Sequence, residues 1–161
     1  MPFAHITGWG MYVPEPVLTN DDIAKLVETS DEWIRERTGI RERHIARETE
    51  FPSTLGVEAA IRALKVANLA PTELDLIICT SSSPEYIFPA TACIIQDQIG
   101  ATKAGAFDLQ AACTGFVYAL NMGAQAIRSG SMKNVLVVGT EVLSRFVNWK
   151  DRNTCILFGD G

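Results

Sequence analysis

Four cysteines, Cys79, Cys93, Cys113 and Cys155, are the residues of this sequence best suited to nucleophilic chemistry. Only one sits where the surroundings would help it. Cys113 lies in Phe107-Asp108-Leu109-Gln110-Ala111-Ala112-Cys113-Thr114-Gly115-Phe116, where a strand pattern gives way to small residues and then to a helix. A helix N-terminus offers free N–H groups and the positive end of the dipole, which favour negative charge. A thiolate held in such a place is a good nucleophile. Ala111, Ala112, Thr114 and Gly115 leave room for a substrate to approach. The plain alternative is a small buried apolar residue, a common fate of free cysteine. Cys79, Cys93 and Cys155 fall inside strand or helix patterns, which predicts structural roles. No C-x-x-C pair occurs, and His5 and His44 stand apart from each other and from partner cysteines. Neither a metal site nor a disulfide framework is expected.

A second group is cationic and aromatic. Arg35, Arg37, Arg41, Arg43 and Arg47 crowd one stretch, with Glu36, Glu42 and Glu48 among them. The stretch is either a solvated, self-neutralising face or a landing site for a phosphorylated substrate or an acidic partner. Trp33 and Arg37 are four apart and share a helix face, with Thr29 one turn earlier. Taken by itself, Trp33 at this spacing reads as a core aromatic, and Arg152 as an ordinary surface charge.

The elements that must position these residues alternate between strand and helix. Ala4–Trp9 reads as a first strand, ended by Gly8, Gly10 and Pro14. Thr19 with Asp22 forms a capping box for a helix through Val27. Ser30 caps the next helix, and Gly39 stops it. Arg41–Ala46 reads as a short strand. Ser53 is expected to cap a helix to Asn68, with Val57, Ile61, Leu64 and Ala67 at helical spacing. Leu74–Thr80 is a buried strand and Ser81–Pro89 a loop. Ala90–Ile99 is a helix, Lys103–Leu109 a strand, Cys113–Arg128 a helix, Asn134–Gly139 a strand and Thr154–Phe158 a last strand. The helix after Cys113 is apolar nearly all round, which predicts burial in the middle of the molecule. The alternation predicts an α/β layered fold, a mixed sheet with helices on both faces.

Composition narrows the class. The chain has 161 residues, 47% apolar and 20% charged, with a net charge of −5. Those values suit a folded globular domain and do not suggest nucleic-acid binding. No apolar run is long enough to span a membrane, and no signal peptide is evident, so a cytoplasmic location is expected. A serine hydrolase lacks its G-x-S-x-G, and Gly8-x-Gly10 lacks the third glycine of a dinucleotide fingerprint.

Asp108 to Leu120, DLQAACTGFVYAL, resembles the active-site segment of the ketoacyl-acyl carrier protein synthase III family, thiolase-fold condensing enzymes that start type II fatty acid synthesis. Thr29 to Ile45 (TSDEWIRERTGIRERHI), Phe88 to Cys93 (FPATAC) and Asp151 to Gly161 (DRNTCILFGDG) resemble other stretches of that family, in the same order. The resemblance covers essentially the whole chain. It implies one half, the N-terminal one, of a two-part thiolase-like fold, with residues 1–161 as that half. It implies that Cys113 takes an acyl group from acyl-CoA, its N–H forming part of an oxyanion hole. It implies that Trp33 and Arg152 sandwich the CoA adenine, with Arg37 and Thr29 making further contacts at the nucleotide end. It places Phe88 at the acyl pocket of a neighbouring subunit in a homodimer. Acyl-CoA and malonyl-acyl carrier protein are the implied substrates, with no cofactor.

The family's catalytic histidine and asparagine lie in the second half and are not among these residues. His5 and His44 do not replace them, so the chain alone is expected to condense little or nothing. A related thiolase-fold synthase, making a ketone, a quinolone or a hydroxymethylglutaryl thioester, is the nearest rival. A CoA-binding module without turnover is the non-enzymatic one.

Overall fold

The computed structural model describes residues 3–161. In chain order its elements are β1 (Val17–Thr19), α1 (Asn20–Ala24), α2 (Asp31–Thr38), β2 (Glu42–His44), α3 (Pro52–Ala67), β3 (Leu76–Thr80), α4 (Thr91–Ile99), β4 (Gly105–Asp108), α5 (Gly115–Arg128), β5 (Val135–Gly139) and α6 (Arg152–Cys155). Short 3₁₀ turns cover Pro71–Glu73, Ala112–Thr114 and Leu143–Arg145.

β3 is the centre of a three-stranded sheet in the order β4-β3-β5, parallel throughout. Side chains alternate across it. Ile77, Cys79, Leu136 and Val138 join Ala60 and Leu64 of α3 and Ala92, Ile95 and Ile99 of α4 in the main core. On the other face, Gly115 of α5 meets the Thr80 side chain, and Gly123 meets Val135 and Val137. Helices therefore cover both faces, as the near-continuous apolar strands require. β1 and β2 form a separate antiparallel ribbon. Beside it lies a second small core of Ile23, Ile34, Cys155 and Ile156, with Trp33, Val147 and Trp149 packed on it.

The capping chemistry follows the sequence closely. Thr19 Oγ1 accepts from Asp22 N–H at 3.2 Å, and Asp22 accepts from Thr19 N–H at 3.2 Å. Ser30 Oγ accepts from Trp33 N–H at 3.1 Å, and Gly39 closes α2 in the left-handed region.

Several expectations are corrected. Helix α1 stops at Ala24, not Val27. Ser53 is not the cap of α3; the helix starts at Pro52, which suits a first-turn position. Ser53 instead gives its N–H to Glu85 at 3.1 Å, and its hydroxyl to the same carboxylate. Thr154–Phe158 is not a strand. Asp151 accepts from Asn153 N–H at 3.0 Å and opens α6, so this segment begins as a helical turn. Ala4–Trp9 forms no strand and joins no ladder. Gly8 and Gly10 lie directly on the backbone of α3, and a cavity of about 600 Å³ separates the segment from β5 and α5. Finally, α5 is not buried all round. Gly115, Ala119 and Gly123 face the sheet, while Phe116, Val117, Tyr118 and Met122 are exposed.

A methyl group on Gly10 would strike the Ala59 carbonyl oxygen and the Ala63 nitrogen, which are helix backbone and cannot yield. Gly10→Ala is expected to lower unfolding stability by about 1–3 kcal/mol, the usual cost of overpacking. A urea midpoint equal to that of the parent would show that this segment does not hold its seat on α3.

Candidate active site

The nucleophile candidate stands at the carboxyl edge of the parallel sheet, where α/β folds place their sites. After β4, Leu109 N–H donates to Cys79 O at 2.8 Å, so the chain is still held to β3 one residue past the strand. Asp108 then anchors it. Its two carboxylate oxygens accept the N–H groups of Thr91 and Ala92, both at 2.8 Å, at the start of α4. Four residues on, Ala112 adopts a φ of +48°. The left-handed region is costly for a residue with a Cβ. That turn throws Cys113 outward, and the thiol is free and exposed. Thr114 Oγ1 bonds back to Ala111 O at 2.8 Å, and α5 begins at Gly115. Contact with Thr80 explains the small residue at 115: an added Cβ would lie 3.2 Å from the Thr80 Cβ.

The other cysteines differ. Cys79 and Cys155 are fully buried, and burial pushes both thiols up from their ordinary pKa. Cys93 is half-buried, with its thiol 3.7 Å from Ala106 O. Among the described residues no cluster of His, Cys, Asp or Glu could hold a metal ion.

The second constellation is built around Trp33. The Arg37 guanidinium carbon lies 4.2 Å from the ring centroid and that of Arg152 4.7 Å from it. Arg152 also donates to Glu28 O at 3.2 Å. Three of the residues singled out from sequence, from α2 and α6, thus converge on one aromatic plane. Arg152 sits too close to Trp33 for a purine to slot between them, so a sandwich requires the guanidinium to swing out. Thr29 Oγ1 is buried without a partner, at the foot of α2. Phe88, 87% exposed, projects with Tyr86 and Ile87 from the loop before α4, and its bond to Pro89 is cis. No hydrogen bond among the described residues joins the Cys113 turn to the Trp33 cluster.

The five arginines do not share one environment. Arg35 pairs with Asp31 at 3.2 Å, and Arg47 with Glu15 at 2.5 Å. Arg43 is buried. Alternation in β2 is the signal that could have shown this: Glu42 and His44 point one way and Arg43 the other. Sequence reasoning also missed the acidic fasteners of the loops. Glu141 accepts from Ser82 N–H at 2.7 Å and Ser83 Oγ–H at 2.5 Å. Asp160 accepts from Ala46 N–H, Ser144 N–H and the Ser144 hydroxyl. An acidic residue just past a strand end is a weak signal, and nothing in the spacing names its partners.

A half-thiolase architecture, a parallel sheet between helical layers with an exposed cysteine at its carboxyl edge, defines the class. The family model for 3-Oxoacyl-[acyl-carrier-protein (ACP)] synthase III matches residues 107–161. The chain is 57% identical over 159 residues to the beta-ketoacyl-[acyl-carrier-protein] synthase III of Xylella fastidiosa (strain Temecula1), covering 99% of this chain and 49% of the relative. It is 55% identical to the protein of that name from Roseiflexus sp. (strain RS-1), with 99% and 48% covered. The 3-oxoacyl-[acyl-carrier-protein] synthase III of Aquifex aeolicus VF5 superposes with a TM-score of 0.94 at 54% identity, over 96% of this chain and 50% of that one. The priming beta-ketosynthase of the R1128 polyketide pathway gives 0.96 at 39% identity, over 99% and 48%. Over the span it covers, this chain is similar to beta-ketoacyl-[acyl-carrier-protein] synthase III proteins, and it spans about half the length of the curated relatives it matches.

Two outcomes follow from this geometry. Under limiting iodoacetamide, peptide mass spectrometry should find Cys113 alkylated first, Cys93 later, and Cys79 and Cys155 only after unfolding; early labelling of Cys79 would contradict the packing. Ala112→Gly should raise stability by about 1 kcal/mol by removing the left-handed penalty, read as a higher urea midpoint.

Proposed function

We propose that this chain carries the acyl-accepting half of an acyltransferase that makes a β-ketoacyl thioester by decarboxylative Claisen condensation. The observation that carries the reading is Cys113, an exposed thiol aimed outward by a strained turn at the start of α5, within a family of that activity. The Cys113 thiolate attacks the carbonyl carbon of a short acyl-CoA. The tetrahedral oxyanion collapses, the carbon–sulfur bond to CoA breaks, and CoA leaves as its thiol after taking a proton. Backbone N–H donors, that of Cys113 among them, stabilise the oxyanion. Malonyl-acyl carrier protein then loses carbon dioxide, and the carbanion attacks the acyl-cysteine. The new carbon–carbon bond replaces the thioester bond, and the Cys113 thiolate is released. This step needs the histidine and asparagine that the family carries in its second half.

Trp33, Arg152, Arg37 and Thr29 take the nucleotide end of CoA. The convergence of two guanidiniums on one indole supports that assignment, since the trio offers both a stacking plane and positive charge for phosphates. The Thr29 hydroxyl is buried without a partner, and it meets a ligand only if its side chain turns outward. Phe88 reaches the acyl pocket of a second copy in a homodimer. Its exposure with Tyr86 and Ile87 supports a role against a partner surface. The cytoplasm is the proposed location, and no described helix is long and apolar enough to cross a membrane. Acyl-CoA is a substrate in this scheme, and no cofactor takes part.

The test is mass spectrometry after mixing the protein with acetyl-CoA. One acetyl group should appear on Cys113, and Cys113→Ser should abolish it; label persisting in that variant would overturn the nucleophile. Trp33→Ala should weaken CoA binding roughly tenfold or more, in line with about 1–3 kcal/mol for an aromatic–base stack.

A further inference from the structure

Arg43 is 5% exposed, and no described carboxylate lies within ion-pair distance of it. Its guanidinium instead donates from Nη1 to Leu18 O at 3.1 Å and from Nη2 to Ile156 O at 3.2 Å, while Nε is buried without a partner. Holding a desolvated cation on two neutral carbonyls is costly. The two carbonyls belong to different parts of the chain. Leu18 lies in β1, which leads through the Thr19 cap into α1, and α1 packs on α2 and its Trp33. Ile156 immediately follows α6, which begins with Arg152. The small core between them contains Ile23, Ile34, Cys155 and Ile156, with Trp33 against it.

We propose that Arg43 is the positioning residue of the nucleotide-end site: its forked guanidinium joins the segment that carries Arg152 to the ribbon that supports Trp33, and so sets their separation. This rests on the reading of Trp33 and Arg152 as the CoA-nucleotide site. The planar fork suits the task because it reaches two carbonyls at once with fixed geometry, which a lysine ammonium does not. The close packing agrees: an added Cβ on Gly159 would lie 2.8 Å from the Arg43 Cβ, so the chain beyond α6 runs directly against this side chain. Neither side-chain hydrogen bond of Arg43 reaches the Cys113 turn or Trp33. Its removal should therefore change capture of the nucleotide and leave the nucleophile's chemistry as it was.

The experiment compares Arg43→Met, Arg43→Lys and Trp33→Ala with the parent, all in the intact protein. CoA affinity is measured by calorimetry. Cys113 acetylation is timed by mass spectrometry with acetyl-CoA and with a short acetyl thioester that lacks the nucleotide. For Arg43→Met, CoA should bind roughly tenfold more weakly, the scale of a small misplacement of a binding group. Acetylation by acetyl-CoA should slow at low concentration and recover at saturation, and acetylation by the short thioester should match the parent. Arg43→Lys, which keeps the charge and loses the fork, should fall between, and it carries the test alone if the methionine variant does not fold. Unchanged CoA affinity in folded Arg43 variants, or equal slowing with both donors, would overturn the proposal. If Trp33→Ala leaves CoA binding unchanged, the nucleotide-site reading itself fails, and that result is distinct from a failure at Arg43.

Discussion

The geometry around Cys113 depends on one carboxylate. Asp108 ends β4 and places an oxygen on each of the first two N–H groups of α4. Such bonds to an ionised acceptor are strong, and the positive end of the helix dipole adds to them. The contact fixes two loops at once. The Cys113 turn starts from Asp108, and the loop bearing Phe88 ends where α4 begins. Since β4 is hydrogen-bonded to β3, and β3 is buried under helices on both faces, the anchor is as rigid as the sheet. Chemistry at the edge of this fold therefore borrows its precision from the core.

The left-handed Ala112 makes sense only with that anchor. A non-glycine residue at φ +48° costs about 1–2 kcal/mol, and an unanchored segment would relax away from it. Asp108 on one side and the Gly115–Thr80 contact on the other hold the segment at both ends. Strain that survives in a turn presenting an exposed thiol is the pattern expected where position matters more than stability.

Much of this was legible in the residues. The Thr19–Asp22 box, the Ser30 cap, the Gly39 stop and the apolar runs of β3 and β5 encode local structure, and local structure is what propensity and periodicity report. The errors came where tertiary context decides. Thr154–Phe158 has the composition of a strand, yet Asp151 caps a short helix that takes in its first two residues. Ala4–Trp9 has the alternation of a strand, yet two glycines seat it on α3 away from any ladder partner. Ser53 looks like a cap, but Glu85, 32 residues away, takes its donors. Trp33, Arg37 and Arg152 were found through resemblance, because their meeting spans more than a hundred residues of sequence. Arg43 was seen only as one arginine among five.

The molecule has two cores, and this division shapes how its parts can work. The main core sets the sheet and thereby the Cys113 edge. The small core under Trp33 and α6 sets the aromatic–guanidinium cluster. No hydrogen bond among the described residues links the two constellations directly. A substrate long enough to lie in both would be held at one end by stacking and charge and presented at the other to a thiol on a rigid mount. Binding energy gathered at the far end would then hold the reacting carbonyl near Cys113 without disturbing it. An extended thioester with a charged purine at one end, the substrate proposed above, would meet that requirement.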